Sequence, residues 1–141
     1  MTTFLDTSVL VPVFYGDHMH HKASLALFVQ CDPASSCCGA HSLVEVVATL
    51  TRMPGQHRVS AEQALLFIGN IRERLALIAL DGAEYVEALE AAAARGIVGG
   101  SLYDAMLAHC ALKAQAEAVY TWNSRHYALC GPEVTARLRT P

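Results

Sequence analysis

Short apolar segments alternate with longer stretches of helical periodicity along this chain, and that alternation admits few folds. Phe4-Leu5, preceded by two threonines, reads as a short buried strand. Asp6-Thr7-Ser8 then offers an N-cap to a helix over Val9–Tyr15, which Gly16-Asp17 breaks. A second helix is expected from about His20 to Gln30, a loop over Pro33–Ser36, and a second short strand over Cys37–Ala40. Leu43, Val46, Val47 and Leu50 form the stripe of a helix over Ser42–Arg52, closed by Pro54-Gly55. Ser60 to Gln63 opens another helix, running to about Arg74, with a capping-box pattern. Leu75–Leu80 is apolar without alternation, which suits a strand buried on both faces. Helices over Ala83–Ala94 and Ser101–Ala114 follow, joined by the link Ile97–Gly100, then a strand over Ala118–Trp122. Beyond the Gly131-Pro132 turn, Glu133–Leu138 reads as helical. The pattern predicts a single α/β domain over residues 1–141, a three-layer α/β/α sandwich around a parallel sheet of four to five strands.

Composition narrows the class. Hydrophobic residues make up 53% of the 141 residues and charged residues 16%. That apolar excess predicts surface covered by a partner, as a homodimer and in a groove for a second protein. A net charge of -3 provides no global field for nucleic acid, although a bound cation can supply positive charge locally. Cys31, Cys37, Cys38, Cys110 and Cys130 are odd in number and contain no C-x-x-C, so they read as reduced, buried thiols of a cytoplasmic protein. No basic leader opens the chain, and no apolar stretch approaches the length of a membrane span.

The chemistry resides in three carboxylates near helix starts. Asp6 follows the first strand, Glu45 follows Ser-Ser-Cys-Cys-Gly-Ala-His-Ser and two apolar residues, and Asp104 follows Gly-Gly-Ser-Leu-Tyr. Asn123 follows the strand that ends in Trp122. Each has a purely structural reading: Asp6 as an N-cap, Glu45 and Asp104 as the acids of Ser-x-x-[Asp/Glu] capping boxes with Ser42 and Ser101, and Asn123 as the cap of a final turn. Parallel strands, however, would deliver all four side chains to one sheet edge, where ligands of α/β folds bind. Two like charges about 4 Å apart repel by roughly 4 kcal/mol at an effective dielectric of 20. A helix N-terminus returns only about 0.3–1 kcal/mol. The acids must therefore stand apart, hold a proton, or share a cation. All-oxygen donors select Mg²⁺ or Mn²⁺, and such ions favour phosphate substrates and phosphoester hydrolysis.

Four segments in order carry a family resemblance. They are Asp6-Thr7-Ser8-Val9-Leu10, the helix bearing Glu45, Gly99-Gly100-Ser101-Leu102-Tyr103-Asp104-Ala105-Met106-Leu107, and Thr121-Trp122-Asn123-Ser124-Arg125-His126-Tyr127. Together they resemble the PIN domain, and most closely its bacterial VapC toxin branch. The resemblance implies a metal-dependent endoribonuclease held in check by a cognate VapB-type antitoxin, with RNA cut to a 3′-hydroxyl and a 5′-phosphate. It implies Asp6, Glu45 and Asp104 as metal ligands, with Asn123 as the fourth catalytic position, where relatives carry Asp or Asn. His126 falls where many relatives have an acid.

Two other classes share clustered acids. A non-catalytic, receiver-like regulatory module needs a lysine near the last strand, and Lys113 lies inside the preceding helix. An aspartyl-nucleophile phosphatase needs Asp-x-Asp, and Ser8 stands where the second Asp belongs. Thr7 and Ser8 either finish the cap or touch the metal's waters or the phosphate, and Ser101 either caps its helix or holds phosphate. Arg95, Arg125 and the patch Arg52, His57 and Arg58 either reach RNA phosphates or remain solvated. His18, His20 and His21 read as a surface helix start rather than a metal tract, and His109 as packing. Trp122 reads as core, with base stacking open to it if exposed.

Overall fold

The computed structural model describes residues Met1–Pro141. Five parallel strands, β1 (Thr3–Leu5), β2 (Ser36–Gly39), β3 (Ala76–Ile78), β4 (Ala118–Tyr120) and β5 (Leu138–Arg139), form one sheet in the order β3-β2-β1-β4-β5. The helices are α1 (Thr7–Val13), α2 (His21–Phe28), α3 (His41–Thr51), α4 (Ala61–Arg74), α5 (Gly82–Ala94), α6 (Ser101–Lys113), α7 (Ser124–Ala128) and α8 (Pro132–Thr135). The expected parallel α/β architecture is therefore present, with five strands.

Successive strand residues face opposite sides of the sheet, and the two apolar clusters divide accordingly. Leu5 and Cys38 join Val9, Leu10, Phe28, Val46, Leu50 and Ile71 under α1 to α4. Phe4 and Cys37 join Leu107, Ala111, Val119, Tyr127 and Val134 under α6, α7 and α8. Helix α5 packs against α6. Burial pushes the Cys37 thiol up to about 11 and the Cys38 thiol up to about 12, so both are inert packing groups at neutral pH.

Two expectations are corrected. The apolar run Leu75–Leu80 yields only the short strand Ala76–Ile78, at the edge of the sheet and not buried on both faces: Leu77 is 38% exposed. Its uninterrupted apolar pattern reflects a strand with one free edge, whose outward side chain nonetheless remains apolar. The segment Glu133–Leu138 is not a helix throughout. Helix α8 stops at Thr135, and Leu138-Arg139 pairs with Val119 and Tyr120 as β5. Two residues carry no readable period, so only tertiary pairing with β4 reveals that strand. Elsewhere the boundaries hold closely; Ser60 caps α4 by accepting the Gln63 N–H at 3.1 Å, and Asp81 forms a full capping box with Glu84 at α5.

The strand order changes direction between β1 and β4, which are adjacent in space but far apart in sequence. Side chains just beyond these carboxyl ends face a crevice of the kind where α/β folds bind ligands. Gly39, at the end of β2, lets α6 approach: a Cβ there would lie 2.5 Å from Leu107 Cδ2. Leu107 is on the same helix as Asp104, one turn on, so this close approach sets the position of an acid. Gly39→Ala is expected to destabilise the fold by about 1–3 kcal/mol through overpacking, measured by urea unfolding.

Candidate active site

Asp6 is the first polar residue after β1, and its backbone N–H continues the sheet by donating to the Tyr120 carbonyl at 3.0 Å. The ladder thus carries the chain directly into the cap of α1, where Asp6 accepts the Ser8 N–H at 3.2 Å. Its side chain is almost wholly buried, with 1% of the residue exposed. A buried carboxylate requires partners, and this one has several. Oδ2 accepts from the Ser8 hydroxyl at 2.6 Å and the Thr121 hydroxyl at 2.9 Å, and Oδ1 accepts from the Tyr127 hydroxyl at 2.5 Å. Burial and the Asp6 charge hold the Tyr127 phenol well above its usual range, so it remains a donor at any ordinary pH.

Glu45 is reached through Thr7, whose hydroxyl lies 2.8 Å from Ser42 Oγ and 3.3 Å from Glu45 Oε1, linking α1 to α3. Asp104 comes from α6, with its Oδ2 2.9 Å from His126 Nδ1 on α7. Asp6, Glu45, Asp104 and Asn123 line one cleft of about 470 Å³ together with Thr7, Ser8 and Trp122. All four predicted catalytic residues are therefore brought to one place.

The capping readings divide. Asp6 does cap its helix. Glu45 and Asp104 do not: the N-cap positions of α3 and α6 are Ala40 and Gly100, neither with a side-chain cap, and Ser42 and Ser101 lie inside the helices. Both helices start earlier than the Ser-x-x-[Asp/Glu] pattern suggests, which leaves the two acids free to face the cleft. Asn123 occupies the N-cap position of α7 without a side-chain cap bond.

Electrostatics answers the question the sequence poses. Partial burial and the nearby Asp6 charge both push the Glu45 and Asp104 carboxyls upward, with His41 and Thr7 opposing at Glu45 and His126 opposing at Asp104. No three His, Cys, Asp or Glu groups close on a single point. The acids stand apart yet still strain against one another. Asp6, Glu45, Asp104 and Asn123 offer oxygen donors, with the imidazoles of His18 and His20 on the same cleft, and hard cations that retain several waters and bind through one or two carboxylates suit the four oxygen-bearing side chains. No lysine or arginine lines it. Arg95 instead packs over Gly131, beside a separate apolar cavity between α5, α6 and α8 that also holds His109. Arg125 is exposed on α7 and does not line the cleft. His18 and His21 spend ring nitrogens on the His20 N–H at 3.0 Å and the Pro12 carbonyl at 2.7 Å, which fits a structured helix start, and His18 and His20 also line the acidic cleft.

Thr121 and Tyr127 are the functional residues that sequence reasoning missed as holders of Asp6. Both sit in the segment around Asn123, but nothing in spacing or composition marks a hydroxyl aimed 115 or 121 residues back along the chain.

Two outcomes follow from this geometry. Tyr127→Phe leaves the Asp6 Oδ1 without its partner and is expected to cost about 1–3 kcal/mol of folding stability in urea unfolding. For Glu45 and Asp104, folded carboxyls with raised pKa values bind more protons than unfolded ones, so their contribution falls as pH rises from the ordinary carboxylate range through the raised values. Metal-free Asp104→Asn is therefore expected to melt higher than the unaltered protein at neutral pH, and that difference is expected to shrink at acid pH, in thermal scans with EDTA.

The comparisons agree with this geometry. The PIN domain family model matches residues 3–132. Ribonuclease VapC27 of Mycobacterium tuberculosis (strain ATCC 25618 / H37Rv) is 33% identical over 114 residues, covering 80% of this chain and 79% of its own. Ribonuclease VapC40 of Mycobacterium tuberculosis (strain CDC 1551 / Oshkosh) is 32% identical, with 79% and 80% covered. Among solved structures, the fold is similar to Mycobacterium tuberculosis VapC20, a sarcin-ricin loop cleaving toxin, with a TM-score of 0.73, 18% identity, and 90% of this chain and 94% of that one covered. It is also similar to DNA-bound VapBC from Salmonella typhimurium, with a TM-score of 0.67, 19% identity, and 99% and 98% covered. With the family model spanning most of its length and curated relatives at this identity, the chain belongs to the PIN-domain family of VapC ribonucleases.

Proposed function

We propose that the protein is a divalent-cation-dependent endoribonuclease, the toxin of a type II toxin–antitoxin pair. One observation carries the reading: in a chain of this family, Asp6, Glu45, Asp104 and Asn123 converge from four separate elements on one crevice beyond the strand ends. The two relatives are named ribonucleases, and the solved neighbours include VapBC assemblies.

In this reading Asp6, Glu45 and Asp104 hold the cation, Mg²⁺ or Mn²⁺, and Asn123 completes the oxygen set without adding charge. When bound, the cation supplies an activated water and neutralises charge developing on the phosphodiester. Asp6 is immobilised for this role by Ser8, Thr121 and Tyr127, and Asp104 is oriented by His126. The lack of lysine or arginine in the cleft makes the cation the local source of positive charge for a phosphate. Residues 1–141 act as one domain in the cytoplasm; no helix is long and apolar enough to cross a membrane. Exposed Leu65 and Leu66 on α4 and Tyr85, Val86 and Leu89 on α5 support covered apolar surfaces, assigned here to a VapB-type antitoxin and a homodimer.

The regulatory-module alternative is not favoured. Lys113, the lysine it would need, bonds Glu84 at 2.7 Å and the Ala79 carbonyl at 2.8 Å and does not line the cleft.

The test is cleavage of single-stranded RNA with Mg²⁺, with Mn²⁺ and with EDTA. Asp6→Ala and Glu45→Gln are each expected to lose more than the roughly ten- to hundredfold that loss of an outer-shell partner costs a metal site, and EDTA to abolish cleavage. Products are expected to carry 5′-phosphates. Equal activity in the variants, or activity undiminished by EDTA, would overturn the proposal.

A further inference from the structure

The cleft has a second wall that the acids do not explain. Trp122, the chain's single tryptophan, stacks on His20 with ring centroids 3.7 Å apart and planes 6° from parallel. Both residues line the same cleft as Asp6 and Asp104, but Trp122 is half-buried and packs against the core cluster under α1 to α4, so the ring of the pair that can receive a base is His20. The indole is fixed at its edge and root. Its Nε1–H donates to Ser24 Oγ at 2.9 Å, and Ser24 is fully buried on α2. Its backbone N–H donates to Ser8 Oγ at 2.9 Å, the same hydroxyl that donates to Asp6. One serine thus ties the aromatic wall to the buried carboxylate. His20 is set in turn by its backbone N–H bond to His18 Nδ1.

This wall meets a need of the site. A polyanion binding a cleft with no lysine or arginine, in a protein of net charge -3, gains little from phosphate pairing beyond the cation. Flat aromatic rings offer an alternative that every base can use, because each base has a π-face. Paired bases are already stacked in their helix, so such a wall selects unpaired nucleotides. We propose that His20, backed by Trp122, is a stacking platform that seats an unpaired nucleobase beside the scissile phosphate. Stacking on rings anchored through Ser8 also fixes the register of the strand against Asp6, making the pair a specificity-determining element rather than a catalytic one. The inference rests on the ribonuclease reading above.

The single tryptophan makes the test direct. Full-length Asp104→Asn protein, which keeps the platform, is titrated with a single-stranded RNA oligonucleotide, with the same sequence as a duplex, and with sodium polyphosphate as a base-free polyanion. Binding is followed by anisotropy of labelled RNA and by Trp122 emission. The single strand is expected to change Trp122 emission as it binds, whereas duplex and polyphosphate leave it unchanged. His20→Ala, a loop substitution that spares the core, is expected to weaken single-strand binding roughly tenfold. Trp122→Phe, which keeps a ring, is expected to retain more affinity than Trp122→Leu. Single-strand binding that leaves the emission unchanged, or equal or tighter binding by His20→Ala, would overturn the platform. If the unaltered protein still cleaves RNA in that case, the ribonuclease reading survives alone; if it neither binds nor cleaves RNA, both fall.

Discussion

The burial of one carboxylate organises this molecule. Asp6 sits at the end of the central strand, and its four donors come from α1, from the residue that follows β4, and from α7. Leaving a charge there unpaired would cost several kcal/mol, so the elements around it are held to a common geometry. The interaction is at once structural and chemical: the same bonds that make the charge tolerable point it at the crevice. Gly39 contributes from the other side, since its missing Cβ leaves room for the Leu107 side chain of α6 against the end of β2.

The remaining acids are arranged differently. Glu45 and Asp104 are only partly buried and have fewer partners; burial pushes their carboxyls upward first, and repulsion from Asp6 adds to it, only partly opposed by His41 and Thr7 at Glu45 and by His126 at Asp104. A fold optimised for stability alone would not assemble such a set; sites that bind and activate ligands commonly carry strain of this kind. In the proposed reading, a divalent cation held among these carboxylates would convert that repulsion into binding energy.

Much of this was legible in the sequence, for physical reasons. Strand–helix alternation follows from burial on two faces of a sheet, and it gave the architecture. The acids stood out because carboxylates at strand ends are too costly to gather without a purpose. What escaped was whatever depends on contacts between distant residues. Two-residue β5 has no period of its own. Leu75–Leu80 looks like an interior strand because composition does not distinguish an apolar edge from an apolar centre. The capping-box pattern at Ser42 and Ser101 was misleading because both helices begin earlier, at His41 and Ser101 behind uncapped Ala40 and Gly100. The hydroxyls of Thr121 and Tyr127, and the stacking of His20 on Trp122, join segments about a hundred residues apart, and no local signal announces them.

Mn²⁺ binding followed by electron paramagnetic resonance, in the unaltered protein and in Asp104→Asn with no RNA present, decides whether these carboxylates together hold a divalent cation. Saturable binding is expected in the unaltered protein, weakened at least tenfold in the variant, in line with the sensitivity of metal sites to their ligand shell. Equal affinity in the two proteins, or no saturable binding in the unaltered one, would contradict it.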